Sequence, residues 1–583
     1  MDMPNHVPLK SPSHRLRWLA PGLAMLLAAG CASAATTAGP PPEYASAIAL
    51  LESGQAREAA TRLEAPASTA TGARRTALLA DAAFAWREAG DQARARSLLA
   101  QVDARRVGGA TGGRLALLNA ELALEDGRPA EAVTALAGGD ATTLPPALQS
   151  RWHLAQAGAL EATGDARAAA AARARADAGL NGEARLDNRR RIDRLLASLD
   201  NTTLGAYAAS LPAGDPLYNF AARALVQRGL PLPRPFNRGE GWNFDSRPPA
   251  AADGYRPPRR LAVLLPLSGP LATAAAPVRD GLLAGYYGET RQRPEVVFYD
   301  TTGTPAGAQA AYARAVSEGS DFVVGPLGRD EVGAVFREAA LDVPSLALNR
   351  GASAPPPGHA MFSLAPEDDG LAAADYLLAR ERRRVLVLAG TDENALRTVE
   401  AFRNRLADRG GSIAATLSVG EQPGDLSAAL VEAAAAGADS VFLAVRGPQA
   451  RALAPQLALA GFASRTRIGT SQLASGTGRA EEDAVLDGIV YPTEAWPTRG
   501  TSGLPTAGRA AEMLPTARGP AARLFAFGYD AWRISAYLEQ LVTAADGQLR
   551  GATGDLRLDG FGNVVRQPAW ATFSGGQPIP LGN

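Results

Sequence analysis

The feature that most constrains this chain is a change of hydrophobic period near residue 260. From residue 43 to about 230, Ala and Leu recur every three or four positions and no β-branched run interrupts them, a pattern that only helices satisfy. Beyond Arg260, short buried-type runs such as Leu261-Ala262-Val263-Leu264-Leu265 alternate with helical stretches, which is the α/β pattern. One chain therefore carries an all-α half and an α/β half. Between them, residues 231–260 hold Pro231, Pro233, Pro235, Pro257 and Pro258, too many prolines for regular helix or central strand. This linker also contains Phe236, Trp242, Phe244 and Tyr255, so part of it is expected to dock against a domain. A length of 583 residues exceeds one ordinary core and agrees with several domains.

Within the helical half a small unit recurs around Gly54, Gly90, Gly127 and Gly164, at spacings of 36, 37 and 37 residues. Glycine supplies a left-handed turn between paired helices, and the period fits helical hairpins of the tetratricopeptide kind. A helical bundle with Gly-Asp turns is the alternative. Either is a scaffold, and His153 beside Trp152 reads as packing because no Cys or acidic ligand accompanies it.

In the second half, strands are expected at 295–299, 321–324, 345–348, 384–388, 440–445, 467–469 and 488–491, each separated by enough chain for a crossover helix. The sheets should be largely parallel and divided into two lobes, with a cleft at the carboxyl ends of the strands. Residues 497–520 form a Gly-, Pro- and Thr-rich insertion without clear period, read as a contact element or a tolerated surface loop.

Composition narrows the function classes. Lys plus Arg and Asp plus Glu are equal at 59 each, which leaves no net field for a polyanion, and nucleic acid is not an expected partner. The single cysteine, Cys31, excludes an intrachain disulfide and any cysteine-based metal site. Arg15 and Arg17 precede an apolar run that ends in Ala28-Ala29-Gly30-Cys31. That run is about a dozen residues, too short at ~1.5 Å each to cross a ~30 Å hydrocarbon core, and so reads as a cleaved signal over 1–30. Cleavage after Ala34 or Ala35, giving a plain secreted protein, is the other reading.

No His-Glu-x-x-His helix, Gly-x-Ser-x-Gly elbow or phosphate loop is present, and the histidines beyond the signal, His153 and His359, fall on different predicted domains. Neither a cofactor nor catalysis is expected. Glu367-Asp368-Asp369 is a carboxylate cluster, but Ala365-Pro366 before it makes a helix N-terminus the better reading, since negative charge is favoured there. Arg382-Arg383-Arg384 reads as a solvated helix end.

Two resemblances add to this. The cysteine after small residues resembles the bacterial lipobox, which implies an acylated Cys31 on a tether over 31–42 and, with Ala32 rather than Asp next to it, sorting to the outer membrane. The segments Leu264-Leu265-Pro266-Leu267-Ser268-Gly269, Tyr299-Asp300 and Phe322-Val323-Val324-Gly325-Pro326-Leu327 resemble the first lobe of type I periplasmic binding proteins. Ser345-Leu346-Ala347-Leu348-Asn349, Phe362 to Asp368, Leu524 to Trp532 and Gly551 to Leu556 resemble the C-terminal domain of the LpoA family. Its members are outer-membrane lipoproteins that activate class A penicillin-binding proteins.

The resemblance implies a helical-repeat domain over 43–230 and a bilobed domain over 261–583. It also implies a lipid anchor in the outer membrane on the periplasmic side, a reach through peptidoglycan, and a bifunctional synthase as partner. A cleft built around Ser268, Gly269, Arg329, Asn349, Glu367, Tyr529 and Asp530 is implied as well. The competing expectation is a small-ligand receptor for an amino acid or a muropeptide. In amino-acid-binding members a small hydroxyl residue follows the turn here occupied by Gly325-Pro326-Leu327-Gly328-Arg329, and none does so in this chain, although Arg329 can pair with an anion.

Overall fold

A computed structural model describes residues 41–237, 241–337, 341–352, 354–474, 479–544 and 547–582. Cys31, the signal and most of the tether lie outside the described residues. The described residues form two compact units, one ending at Val107 and the other beginning at Gly108.

The first unit is built from helices Pro42–Glu52, Ala56–Ala67, Gly72–Glu88 and Gln92–Leu99. Gly54 and Gly90 lie between paired helices with φ of +82° and +84°, the left-handed conformation that a Cβ disfavours. Asp91 then caps the following helix, its carboxylate accepting the Arg94 N–H at 2.9 Å.

The second unit opens with the same device. Helices Gly109–Glu125 and Pro129–Ala137 flank Gly127, and Pro146–Ala162 and Ala166–Asp177 flank Gly164. Helices Gly182–Ala197, Asn201–Ser210 and Tyr218–Gln227 complete the all-α part. The proline-rich segment is tied by Arg234 and Asn237 to the last helices, and from residue 241 it runs over the α/β part as a docked strap. Phe244 and Tyr255 are buried, Arg256 N–H donates to Ala536 O at 2.8 Å, and Arg247 donates to Ser535 O at 2.8 Å. No helix among the described residues is long and apolar enough to cross a membrane.

The α/β part has two wound lobes. In the first, β1 (Arg260–Leu265), β2 (Glu295–Asp300), β3 (Phe322–Val324), β4 (Ser345–Ala347) and β5 (Ala360–Met361) form a parallel sheet in the order β2-β1-β3-β4-β5. The second contains β6 (Arg384–Gly390), β7 (Ser412–Val419), β8 (Ser440–Ala444), β9 (Thr466–Gly469) and β10 (Ile489–Thr493), parallel in the order β10-β9-β8-β6-β7. Strand order reverses beside β1 in one lobe and beside β6 in the other, the positions at which wound sheets of this kind place a binding crevice.

After the long helix Ala521–Thr543, β11 (Gln548–Arg550), β12 (Asp555–Leu558) and β13 (Val564–Gln567) make an antiparallel sheet packed on the first lobe's core. Then β14 (Ala569–Ser574) and β15 (Gln577–Pro580) extend the second lobe's sheet in antiparallel fashion. The sheets are thus parallel at their centres, and the antiparallel additions qualify the parallel expectation. Of these strands, β12 and β14 alternate buried and half-buried positions and β15 is exposed, while β7 is mostly half-buried or exposed, so they lack the continuous buried run that marked the central ones.

Two helices hold the first lobe together by glycine contacts. Helix Ala272–Gly288 crosses Ala521–Thr543 so closely that a Cβ on Gly281 would lie 1.9 Å from Phe525 O, and one on Gly528 would lie 1.9 Å from Val278 O. Phe362 and Phe527 stack beneath them with ring centroids 4.5 Å apart. Residues 497–520 differ from the expectation of an aperiodic insertion. They contain helix Ala507–Met513, receive the Trp496 indole N–H on Pro505 O at 2.7 Å, and bury Ala510 and Ala517 against the long helix.

The hairpin loop between β12 and β13 meets the all-α part. Phe561 packs on Phe220 at 4.5 Å between centroids, with the guanidinium groups of Arg189 and Arg223 each 4.8 Å from the Phe561 ring.

Candidate functional site

The chain passes from the first lobe to the second around 362–366, returns around 494–520 and passes again around 567–569. Helix Pro366–Leu378 begins at the first passage, with Pro366 at its first position and Glu367, Asp368 and Asp369 in its first turn, as expected of a helix N-terminus. Its apolar face packs in the second lobe's core through Ala373, Ala374 and Leu377.

The three acids do more than favour the helix end. Glu367 is held within the second lobe by Arg397, whose Nε and Nη2 donate to its two oxygens at 2.8 and 2.9 Å. Asp368 and Asp369 instead face arginines of the first lobe. Arg350, just after β4, donates from Nη2 to Asp368 Oδ1 at 2.6 Å. Arg566 of β13 places Nη2 3.7 Å from Asp369 Oδ1. Asp369 Oδ2 accepts the N–H and the hydroxyl of Ser471, just after β9, at 2.9 and 2.5 Å.

Arg523, in the first turn of the long helix, completes the junction. Its Nη1 donates to Ser471 Oγ, and its Nε lies 3.0 Å from Glu494 Oε1 on the return passage. Burial disfavours its charge, but the carboxylates of Glu494, Asp369 and Asp368 outweigh that cost and leave the guanidinium pKa raised. For Arg350 the Asp368 carboxylate is the leading influence and again raises the pKa. Three first-lobe arginines thus converge on the acidic turn of a second-lobe helix. Where the junction is dry, at Arg566, Asp369 and Glu494, each charge is tolerable only because its partner is in place.

The candidate cleft residues are dispersed around this junction and mostly serve their own loops. Ser268 donates to Asp300 Oδ2 at 2.6 Å, and Asp300 Oδ1 accepts the N–H groups of Leu267 and Thr302 at 2.9 and 2.8 Å. Gly269 has φ of +79° in the same loop. Asn349 donates to Leu327 O at 2.9 Å, and Arg329 stands exposed at the start of helix Arg329–Val335.

Tyr529 and Asp530 correct the cleft expectation. Both lie on the long helix, where Tyr529 donates to Ser502 O at 2.8 Å. Asp530 is fully buried and accepts from the N–H groups of Ala552 and Thr553 and from the Thr553 hydroxyl, at 2.6 to 2.7 Å. Burial pushes its pKa up to about 6 against the pull of those donors. Asp530 therefore anchors the 551–554 turn and does not line a cleft. Arg350, Ser471, Glu494, Arg523 and Arg566, which form the junction, were not legible as a group, because a lone arginine carries no sign of its partner across lobes. Among the described residues no cluster of His, Cys, Asp and Glu is arranged to hold a metal ion.

Helical hairpins followed by two wound lobes with three passages define a bilobed protein of the type I periplasmic-binding-protein fold with an all-α N-terminal part. A family model described as "LppC putative lipoprotein" matches residues 255–576. The chain belongs to this family, the LpoA family of lipoproteins.

The curated relatives include the penicillin-binding protein activator LpoA of Photobacterium profundum, 25% identical over 352 residues that cover 54% of this chain and 56% of the relative. The protein of the same name from Mannheimia succiniciproducens is 25% identical over 338 residues, covering 55% of each. The chain spans about half the length of the curated relatives it matches. A crystal structure of Haemophilus influenzae LpoA aligns over 90% of this chain and 98% of that one, with a TM-score of 0.51 and 18% identity, a likeness of fold.

Proposed function

We propose that this chain is a non-catalytic activator of a class A penicillin-binding protein, acting from the outer membrane through an acylated Cys31 and stimulating transpeptidation by direct contact. The observation that carries the proposal is membership of a lipoprotein family whose curated relatives bear the name of penicillin-binding protein activators. The junction geometry supports it. Lobes bridged by Arg350–Asp368, Arg523–Glu494 and the Ser471–Asp369 contacts form a firm body suited to presenting an outer surface. A receptor for amino acids or muropeptides has less support, because Ser268, Asn349 and Glu367, three of the polar residues named for the cleft, are engaged by their own loops or by Arg397.

Activation without catalysis requires the chain to bind the active conformation of the synthase more tightly than the resting one. The anchor sets the side of approach, across the peptidoglycan toward an inner-membrane enzyme. Purified protein carrying Cys31→Ser, added to a cognate class A synthase and lipid-linked substrate, should raise peptide crosslinking while releasing no glycan or peptide fragments from finished peptidoglycan by itself. Crosslinking that stays at the level of the synthase alone would overturn the proposal.

A further inference from the structure

Beside the return passage that follows Glu494, the second unit contains a cavity of about 670 Å3 whose charged lining residues are mainly cations. Three arginines line it, each from a different element: Arg499 ends helix Ala495–Arg499, Arg533 lies midway along Ala521–Thr543, and Arg550 ends β11. Asp555, the first residue of β12, is the single carboxylate, and the rest of the lining is threonine, serine, glycine and alanine. With no large apolar side chain on its wall, the cavity offers nothing to a hydrophobic ligand.

Several arginines elsewhere in these lobes are matched to acids, as Arg397 is to Glu367 and Arg350 to Asp368, while others, such as Arg247 and Arg467, donate to backbone carbonyls. Among the described residues, none of the three cavity guanidiniums has a carboxylate within ion-pair distance; Arg533 Nη1 donates to the backbone O of Arg550 at 2.6 Å. Three like charges lining one cavity repel, and an anion there relieves the repulsion. Thr501 Oγ1, also on the wall, is buried without a hydrogen-bond partner among the described residues.

We infer that this cavity binds a short acidic oligopeptide, its carboxylates received by Arg499, Arg533 and Arg550 and its amine by Asp555. Guanidinium forks match carboxylates in a bidentate manner, and a cavity of this size accommodates a small peptide rather than one ion. Asp555 decides between anion classes. A phosphate is anionic throughout and would be repelled by Asp555, whereas a peptide brings a cationic amine and N–H donors along with its acids. The site is independent of the synthase contact proposed above.

The test is titration calorimetry of the Cys31→Ser protein with the free-amine tetrapeptide Ala-Glu-Glu-Ala at low salt, with Ala-Gln-Gln-Ala and inorganic phosphate as comparisons. Saturable binding is expected, about tenfold or more weaker for the glutamine peptide and for the Arg533→Gln/Arg550→Gln variant. Should that double variant not fold, Arg499→Gln and Arg550→Gln, both at exposed positions, each serve alone with an expected loss of about threefold. Acetylating the peptide amine should weaken binding to the parent protein but not to Asp555→Asn. No saturable binding, equal binding of the glutamine peptide, or displacement by phosphate at equal or lower concentration than the peptide would each overturn the inference.

Discussion

The Nε of Arg523 lies 3.0 Å from Glu494 Oε1, joining the first turn of the first lobe's long helix to the passage that leaves the second lobe. Arg523 also donates to Ser471, which in turn donates to Asp369, so the pair belongs to a buried chain of charges that spans both lobes. Removing one member leaves its partner buried without compensation, which costs about 3 to 5 kcal/mol. Arg523→Gln and Asp369→Asn should each lower stability to that extent in urea unfolding. Combined in one chain with Glu494→Gln, Arg523→Gln should show a coupling of roughly 1 to 3 kcal/mol. Additive losses would mean that Arg523 and Glu494 do not act as a pair.

Glycine contacts give a second prediction with opposite signs at two sites. Gly528→Ala places a methyl 1.9 Å from Val278 O, where only backbone displacement makes room, and should destabilise by about 3 kcal/mol or more. Gly205 lies in helix Asn201–Ser210 with nothing within 4 Å of a Cβ, so Gly205→Ala should stabilise by about 0.5 to 1 kcal/mol through helix propensity and a less flexible unfolded chain. Thermal melting of the two variants distinguishes the cases.

His359 predicts a pH dependence. Its Nδ1 accepts the Ser345 N–H at 3.1 Å and lies 2.9 Å from the Ser345 hydroxyl, and burial depresses its pKa from 6.5 to about 4. As pH falls below 6.5 the unfolded chain takes up a proton that the folded chain refuses until about 4, so stability present above that window is lost through it. The loss between pH 7 and 5 is about 2 kcal/mol. Asp530, raised from 3.8 to about 6, works in the opposite sense, its stabilising share growing as pH falls through 6. The parent curve is therefore flattened, and the difference between the parent and His359→Gln isolates the histidine. The parent's lead over His359→Gln should shrink by about 2 kcal/mol from pH 7 to 5 in denaturant titrations. A constant difference would contradict a depressed histidine.

Phe561 supplies a fourth prediction. It lies between Arg189 and Arg223 and against Phe220, while Asn219 donates to Gly560 O at 3.3 Å, so one loop carries much of the contact between the α/β part and the last helices of the all-α part. Phe561→Ala should cost about 3 kcal/mol at this contact and raise amide exchange in Tyr218–Gln227 more than in helix Pro366–Leu378. Uniform exchange increases would show that the loop does not couple the two parts.

The sequence by itself determined the all-α half, the glycine turns at 54, 90, 127 and 164, and the central strands, because each is written in local patterns. A glycine at positive φ, a 3.6-residue period or a continuous apolar run needs no distant partner to be recognised. The acidic first turn after Pro366 was equally legible as a helix N-terminus.

Only the tertiary structure decided what that turn does. The chain closes in space on Arg350, Ser471, Glu494, Arg523 and Arg566, which come from five separate segments, and a long-range charge pair leaves no periodic trace in sequence. The same holds for Asp530, expected at a cleft and found as the buried acceptor of the 551–554 turn. The antiparallel strands after residue 547 escaped as well, since half-buried alternation resembles a polar loop until a neighbouring strand supplies its hydrogen bonds. The arginine-lined cavity likewise exists only because the fold brings the end of one helix, the middle of another and a hairpin together around it.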